Sequence, residues 1–132
     1  MGRTFLTTTR VRFAETDAAG IVYYNNYFIY FELGRVEMFR ELELPYNWRL
    51  PIAEAYCDFK ASARFDDALE IRSHLTEIRR CGFRITHEVY RLEDGSESEL
   101  LVKGFVAMVY FGDDRQPAAL PVDFKAAFSD SM

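Results

Sequence analysis

Cysteine and histidine are scarce in this chain, with only Cys57, Cys81, His74 and His87 among 132 residues. The cysteines form no Cys-x-x-Cys pair, and no zinc-ligand spacing can be built from these four positions, so neither a metal nor a cofactor is expected. Reduced thiols in a cytoplasmic chain are the default reading. Basic charge is also short: 16 Lys and Arg stand against 21 Asp and Glu, a formal net charge of −5. A general duplex binder presents a basic surface, so nucleic acid is not an expected partner. No apolar run approaches the ~18 residues of a membrane span. The opening MGRTFLTTTR has no apolar signal segment either, so no membrane partner is expected. Repeats, linkers and low-complexity tracts are missing too. At roughly 100–200 residues per domain, residues 1–132 are expected to form a single domain.

What the chain has in quantity is apolar and aromatic surface. Hydrophobic residues make up 49% and aromatics 16%, with 12 Phe and 8 Tyr against one Trp. A chain of this length buries roughly two-thirds of its unfolded surface, so it needs no disulfide to fold. The ring load suggests a core or interface built from flat side chains, or a flat or greasy ligand.

The apolar residues are ordered by period. In residues 4–13, Phe5, Thr7, Thr9, Val11 and Phe13 alternate with Arg10 and Arg12, which predicts a strand. ETDAAG (15–20) breaks it with turn chemistry. Residues 25–42 carry the one long helical pattern, with Asn25 or Asn26 available to cap its start and Pro45 just beyond its end. On the helical wheel Tyr30, Gly34, Glu37 and Glu41 form a narrow polar or small stripe. Phe28, Ile29, Phe31, Leu33, Val36, Met38, Phe39 and Leu42 take most of the rest. A helix so apolar is expected to be wrapped by other elements. Four strands are predicted at 52–61, 68–79, 83–92 and 99–111. Asp66-Asp67, Cys81-Gly82 and the hairpin signal Asp94-Gly95 mark their junctions, and Pro121 can open a last short helix. One strand, one long helix and a run of strands predict an α+β fold, an antiparallel sheet of five to six strands packed on the helix.

The segment TDAAGIVYYNNYF (16–28) holds the candidate chemistry. Asp17 lies in the turn after a strand, Gly20 allows close backbone approach, and the long helix begins five residues later. A helix N-terminus offers unpaired N–H groups and about half a positive charge, which suits a carbonyl oxygen gaining negative charge. A carboxylate facing that end can attack the carbonyl or activate water. The plainer reading is that Asp17 makes only an Asx-turn or a cap. Spacing alone leaves both open.

The run D-A-A-G-I-V-Y-Y-N-N-Y-F, followed by a long helix and four strands, resembles the acyl-CoA thioesterases of the hot-dog fold, and within them the 4-hydroxybenzoyl-CoA thioesterase branch. The likeness continues through RFDDALEI (64–71), EIRRCGF (77–83) and LPVDF (120–124). It implies a central helix wrapped by an antiparallel sheet, and hydrolysis of an acyl-CoA ester to a free acid and CoA. By the same resemblance Asp17 is the carboxylate, Tyr24 supplies the backbone N–H that polarises the thioester, and Gly20 makes the close turn. Arg79 and Arg80 match a basic pair associated with the CoA phosphates, and Trp48 matches an aromatic residue near the acyl site. Glu32 has two readings. It pairs with Arg35 as an i,i+3 ion pair at a subunit interface, or it faces the acyl group, as an acidic residue does in related aromatic-CoA enzymes.

The expected substrate is an aromatic acyl-CoA such as a 4-hydroxybenzoyl ester, with a medium- or long-chain aliphatic ester as the alternative. A non-hydrolytic acyl-CoA-binding module is the competing class, against which the retained Asp17 argues. Hydratase chemistry is disfavoured because Val22 stands where hot-dog hydratases carry His. His74 and His87 read as structural. Long strands with open edges predict a homodimer or homotetramer. The strand 99–111 adds to this because it is apolar on both faces. Leu101, Phe105, Val109 and Phe111 line one face, and Leu100, Val102, Val106 and Met108 the other.

Overall fold

The computed structural model describes residues 2–93 and 98–132. The Asp94-Gly95 hairpin signal lies outside the described residues. Five strands form one antiparallel sheet in the order β1-β3-β4-β5-β2, with β1 at Phe5–Arg10, β2 at Ile52–Phe59, β3 at Ala68–Ile78, β4 at Gly82–Arg91 and β5 at Glu99–Val109. Helix α1, Asn26–Glu41, crosses one face of the sheet, and α2, Val122–Ser131, closes one end. This is the expected α+β hot-dog architecture, with five strands.

Period-two patterning sets which side of each strand meets the helix. Phe83, Ile85, His87 and Val89 of β4 are all buried, while Arg84, Thr86, Glu88 and Tyr90 between them are half-exposed. In β5 a register shift opposite Val89 and Tyr90 lets consecutive Leu101 and Val102 both bury, so the strand does not alternate as expected. Its outer face is covered differently: Phe105 stacks on Tyr56 at 5.6 Å, and the Arg84 guanidinium lies 4.1 Å over the Phe105 ring. Phe111 falls beyond the strand. β1 also ends early, at Arg10. A 3-10 turn at Phe13–Glu15 follows, so Phe13 is 75% exposed and packs on Phe65 instead of continuing the pattern.

Helix α1 corrects the wheel. Its buried residues are Tyr27, Tyr30, Phe31, Gly34, Arg35, Met38 and Phe39, so the supposed polar stripe includes part of the buried face. Tyr30 is buried because its hydroxyl finds a carboxylate, that of Glu15, at 2.8 Å. Ile29 and Leu33 are exposed, because the sheet covers one side of the helix and the chain does not wrap the other. Neither asparagine side chain caps the start: Asn25 already has helical backbone angles, whereas a capping residue needs an extended backbone. The far end closes as a Schellman motif. Leu44 N–H donates to Phe39 C=O and Glu43 N–H to Arg40 C=O, with Glu43 left-handed at φ 56°. Phe39 is fully buried against Tyr46, Phe83, Phe124 and Phe128, so two aromatic residues of α2 lock the C-terminal half of α1. Among the described residues no helix is long and apolar enough to cross a membrane.

Gly34 lets the helix sit low on the sheet. A Cβ there would overlap Ser73 Oγ and come 2.8 Å from Ile71 Cγ2, and both of those side chains are fully buried. Helix propensity alone favours Gly34→Ala by about 1 kcal/mol. The overlap costs about 1–3 kcal/mol, because buried neighbours on β3 have nowhere to go. The packing term wins, and urea unfolding should show Gly34→Ala destabilised by up to about 2 kcal/mol. A higher midpoint than wild type would contradict this seat.

Candidate active site

The turn after the 3-10 segment is built by backbone bonds. Asp17 N–H donates to Ile21 C=O at 2.9 Å and Gly20 N–H to Asp17 C=O at 3.0 Å, with Gly20 at φ +80°. Only glycine adopts that angle without strain, and the position is open enough that the requirement is conformational rather than steric. One carboxylate oxygen of Asp17, Oδ1, accepts Ala19 N–H at 2.9 Å, so the Asx-turn reading holds for that oxygen. Asp17 is exposed, and among the described residues no hydrogen bond engages Oδ2.

The chain then returns: bridges pair Thr16 with Val22 and Ile21 with Arg64, and Val22 N–H donates to Ala63 C=O. Helix α1 starts immediately after. Its first bonds are Asn26 N–H to Tyr23 C=O, Tyr27 N–H to Tyr24 C=O and Phe28 N–H to Asn25 C=O. The Tyr24 N–H, two positions earlier still, donates to no group among the described residues. The free end of the helix therefore points a donor and a partial positive charge out of the fold.

Asp17 and Tyr24 share one cavity of about 330 Å³, whose wall also includes Tyr23, Tyr27, Phe59 and Lys60. Four aromatic side chains line it. Tyr24 lies 4.6 Å from Tyr23 and 6.4 Å from Phe59 between ring centroids, and Tyr27 lies 5.6 Å from Phe59. Tyr27 is itself fixed, its hydroxyl accepting Ala63 N–H at 3.0 Å, and burial raises its pKa. The hydrogen-bonded neighbour Tyr24, first of all, also raises that of Tyr23, so both phenols stay protonated at neutral pH. The sequence singled out Asp17, Gly20 and Tyr24 in this wall but missed Tyr23, Tyr27, Phe59 and Lys60. The two tyrosines were within the motif itself. Phe59 and Lys60 arrive from the end of β2, and only the sheet topology brings them there.

Behind the cavity wall lies a buried carboxylate. Glu15 accepts Arg12 N–H and Tyr30 OH on Oε1 at 2.9 and 2.8 Å, and the Arg12 guanidinium on Oε2 at 3.1 and 2.9 Å. Its backbone C=O accepts Tyr23 N–H at 3.0 Å and Asn26 Nδ2 at 2.8 Å. Burial pushes the Glu15 pKa up, but the bonds from Arg12 and Tyr30 together outweigh it and hold the group below the usual range, hence ionised.

The other expected residues lie elsewhere in the single chain. Arg79 and Arg80 form the β3–β4 turn at the opposite end of β2, beside a second cavity of about 480 Å³ that Arg79, Glu54, Glu77 and Arg84 line. Arg79 is already bidentate to Glu77, at 3.0 and 3.2 Å. Trp48 is 46% exposed in the same region, with the guanidiniums of Arg49 and Arg115 at 4.5 and 4.3 Å from its ring. Glu32 is exposed on the outer side of α1 and makes no bond to Arg35. The expected i,i+3 pair does not form because Arg35 turns inward. It is 1% exposed, and its Nε donates to Tyr46 OH at 3.2 Å. His87 is structural as expected: buried, stacked on Phe31 at 4.9 Å, and bonded through Nδ1 to Ser73 Oγ at 2.8 Å. Burial first, then Arg35, keeps it neutral.

The profile of the thioesterase-like superfamily matches residues 11–128, a span that includes every residue of this cavity. The chain is 32% identical to the acyl-CoA thioesterase YbgC of Helicobacter pylori over 128 residues, covering 91% of this chain and 96% of that one. A solved 1,4-dihydroxy-2-naphthoyl-CoA thioesterase from Synechocystis superposes with a TM-score of 0.87 at 25% identity, over 96% of each chain. A 4-hydroxybenzoyl-CoA thioesterase, solved as an Asp-to-Asn variant with 4-hydroxybenzoyl-CoA bound, superposes with a TM-score of 0.85 at 26% identity. That match covers 95% of this chain and 98% of the other.

Proposed function

Because the chain belongs to the thioesterase-like superfamily and is an acyl-CoA thioester hydrolase, we propose that Asp17 and the start of α1 perform the hydrolysis in the cavity they share. The observation that carries this reading is that one cavity of about 330 Å³ is lined by Asp17 and by the end of the helix, whose Tyr24 N–H has no acceptor among the described residues. The thioester carbonyl oxygen sits against that N–H. Asp17 attacks the carbonyl carbon, and the tetrahedral oxyanion is held by the N–H and the helix end. Collapse expels the CoA thiolate and leaves an acyl–aspartyl anhydride, which water opens to the free acid. The same carboxylate serves the alternative route by taking a proton from the attacking water. Both routes need its charge, and Gly20 gives the turn that presents it.

The acyl group is aromatic. Tyr23, Tyr24, Tyr27 and Phe59 give flat surfaces around the site, and two of the similar enzymes are named for hydroxylated aromatic acyl-CoA esters. The compartment is the cytoplasm, in keeping with two unpaired thiols, of which Cys57 is pushed up to about 12 by burial.

The working unit is a homodimer through β2. This eight-residue strand is one of the two edges of the sheet, longer than β1 at the other, and Ile52, Tyr56 and Phe59 are exposed along it. Ile29 and Leu33 extend the apolar surface onto α1, with Glu32 between them at the surface that a second copy covers. A two-fold axis pairs β2 with its copy antiparallel, which sets the Ile52 end of one chain against the Phe59 end of the other. Arg79, Arg80 and Trp48 belong to the first end and the Asp17 cavity to the second. The arginines then receive the CoA phosphates, and Trp48 the substrate, across the subunit boundary.

Three measurements test these assignments. Asp17→Asn keeps the size of the turn but removes the charge, so kcat should fall at least about a hundredfold with folding intact. Activity within threefold of wild type would refute the role. In a panel of acyl-CoA esters, kcat/KM should be highest for hydroxybenzoyl- or naphthoyl-type esters, and an octanoyl ester ahead by more than tenfold would select the aliphatic alternative. Light scattering at micromolar protein should give twice the chain mass of 15.4 kDa, or a higher even multiple. A fully active monomer would overturn the shared site.

A further inference from the structure

Glu15 does not line the cavity, but the two groups assigned to the reaction are both tied to it. On one side it ends the 3-10 turn, two residues before Asp17. The Thr16–Val22 bridge then closes the loop that presents that carboxylate. On the other side its C=O holds Tyr23 N–H, the amide just ahead of Tyr24, and the side chain of Asn26, the first residue of α1. Its carboxylate reaches one turn further along the same helix to Tyr30 OH. The helix is thus clamped to the turn at two points a turn apart, which fixes both its distance and its rotation relative to Asp17.

A buried carboxylate is a costly way to build a turn, since an apolar or neutral side chain would avoid the desolvation. Here the charge brings four bonds from two elements, including a guanidinium fork, and charged bonds hold geometry more tightly than neutral ones. Acyl transfer is sensitive to that geometry: a misplacement of about 1 Å costs roughly a hundredfold in rate. We infer that Glu15, anchored by Tyr30, is the positioning residue that sets the separation between the Asp17 carboxylate and the Tyr24 N–H. The inference rests on the roles proposed above for those two groups.

Two substitutions test it on the full-length chain. Tyr30→Phe keeps the ring and removes one bond to Glu15; Glu15→Gln keeps the shape and removes the charge. Each should lower kcat about tenfold or more while KM stays within threefold, and the thermal transition should remain cooperative. The separating measurement is made in the Asp17→Asn background, where turnover is expected to be slow enough for binding to be read on its own. Adding Tyr30→Phe there should leave the dissociation constant for 4-hydroxybenzoyl-CoA within twofold. A merely structural role would weaken binding as much as it weakens kcat/KM, and that result overturns the inference. So does a kcat for Tyr30→Phe within twofold of wild type, and if Glu15→Gln does not fold, Tyr30→Phe decides alone. Turnover by Asp17→Asn within threefold of wild type would instead sink the role of Asp17, a failure that this design keeps separate.

Discussion

The close seat of α1 on β3 is the constraint on which the remaining geometry depends. The absence of a side chain at Gly34 lets the helix approach Ser73, Ile71 and His87 closely. That approach sets how far the helix start stands from the sheet edge, and so where the Tyr24 N–H points. With a thicker residue at this contact, the aromatic wall of Tyr24, Tyr27 and Phe59 would open, because Phe59 belongs to the sheet, Tyr27 to the helix and Tyr24 to the turn that leads into it. A packing contact three turns away from the site thereby acts on its shape.

The polar groups under the helix follow the same logic. Tyr30, Arg35, Ser73 and His87 are all buried on this seat, where apolar residues would be the cheaper choice. Glu15 gives Tyr30 a partner, Ser73 and His87 partner each other, and Arg35 reaches Tyr46. Burial drives the Tyr30 pKa upward and the His87 pKa downward, so both remain neutral near pH 7. The charges kept in this layer are Glu15, which is fully bonded, and Arg35, whose second nitrogen has no bond among the described residues.

Much of the fold could be read in the sequence because its signals are periodic and local. The alternation of β4 gave its inward set residue by residue, and the aromatic and apolar spacing of 25–42 located α1 to within a residue at each end. The wheel failed where polarity misleads: Tyr30 looked like a surface residue because its partner, Glu15, belongs to a different element. The same limit applies at the site. Asp17, Gly20 and Tyr24 lie within eight consecutive residues, so a motif can carry them. Phe59 and Lys60 reach the cavity only through the pairing of β2 with β5, a long-range contact that no short window contains. Arg79, Arg80 and Trp48 go further: in the single chain they lie at the other end of β2 from Asp17, and only the proposed second copy would bring them to it.

The pairing of Arg79 with Glu77 has a bearing on turnover. A phosphate arriving at the β3–β4 turn does not meet a bare cation; it must take a guanidinium that already has both prongs on a carboxylate. In the proposed role, binding is then an exchange of one anion for another, and its net gain is the difference between two similar contacts. Exposed pairs of this kind contribute little, so in that role the nucleotide end is gripped lightly. That suits a hydrolase whose product keeps the whole handle of its substrate. After the thioester is cut, CoA still carries every phosphate that helped it bind, and a tight clamp would hold the spent product in the site. A carboxylate waiting to reclaim its arginine lets CoA leave.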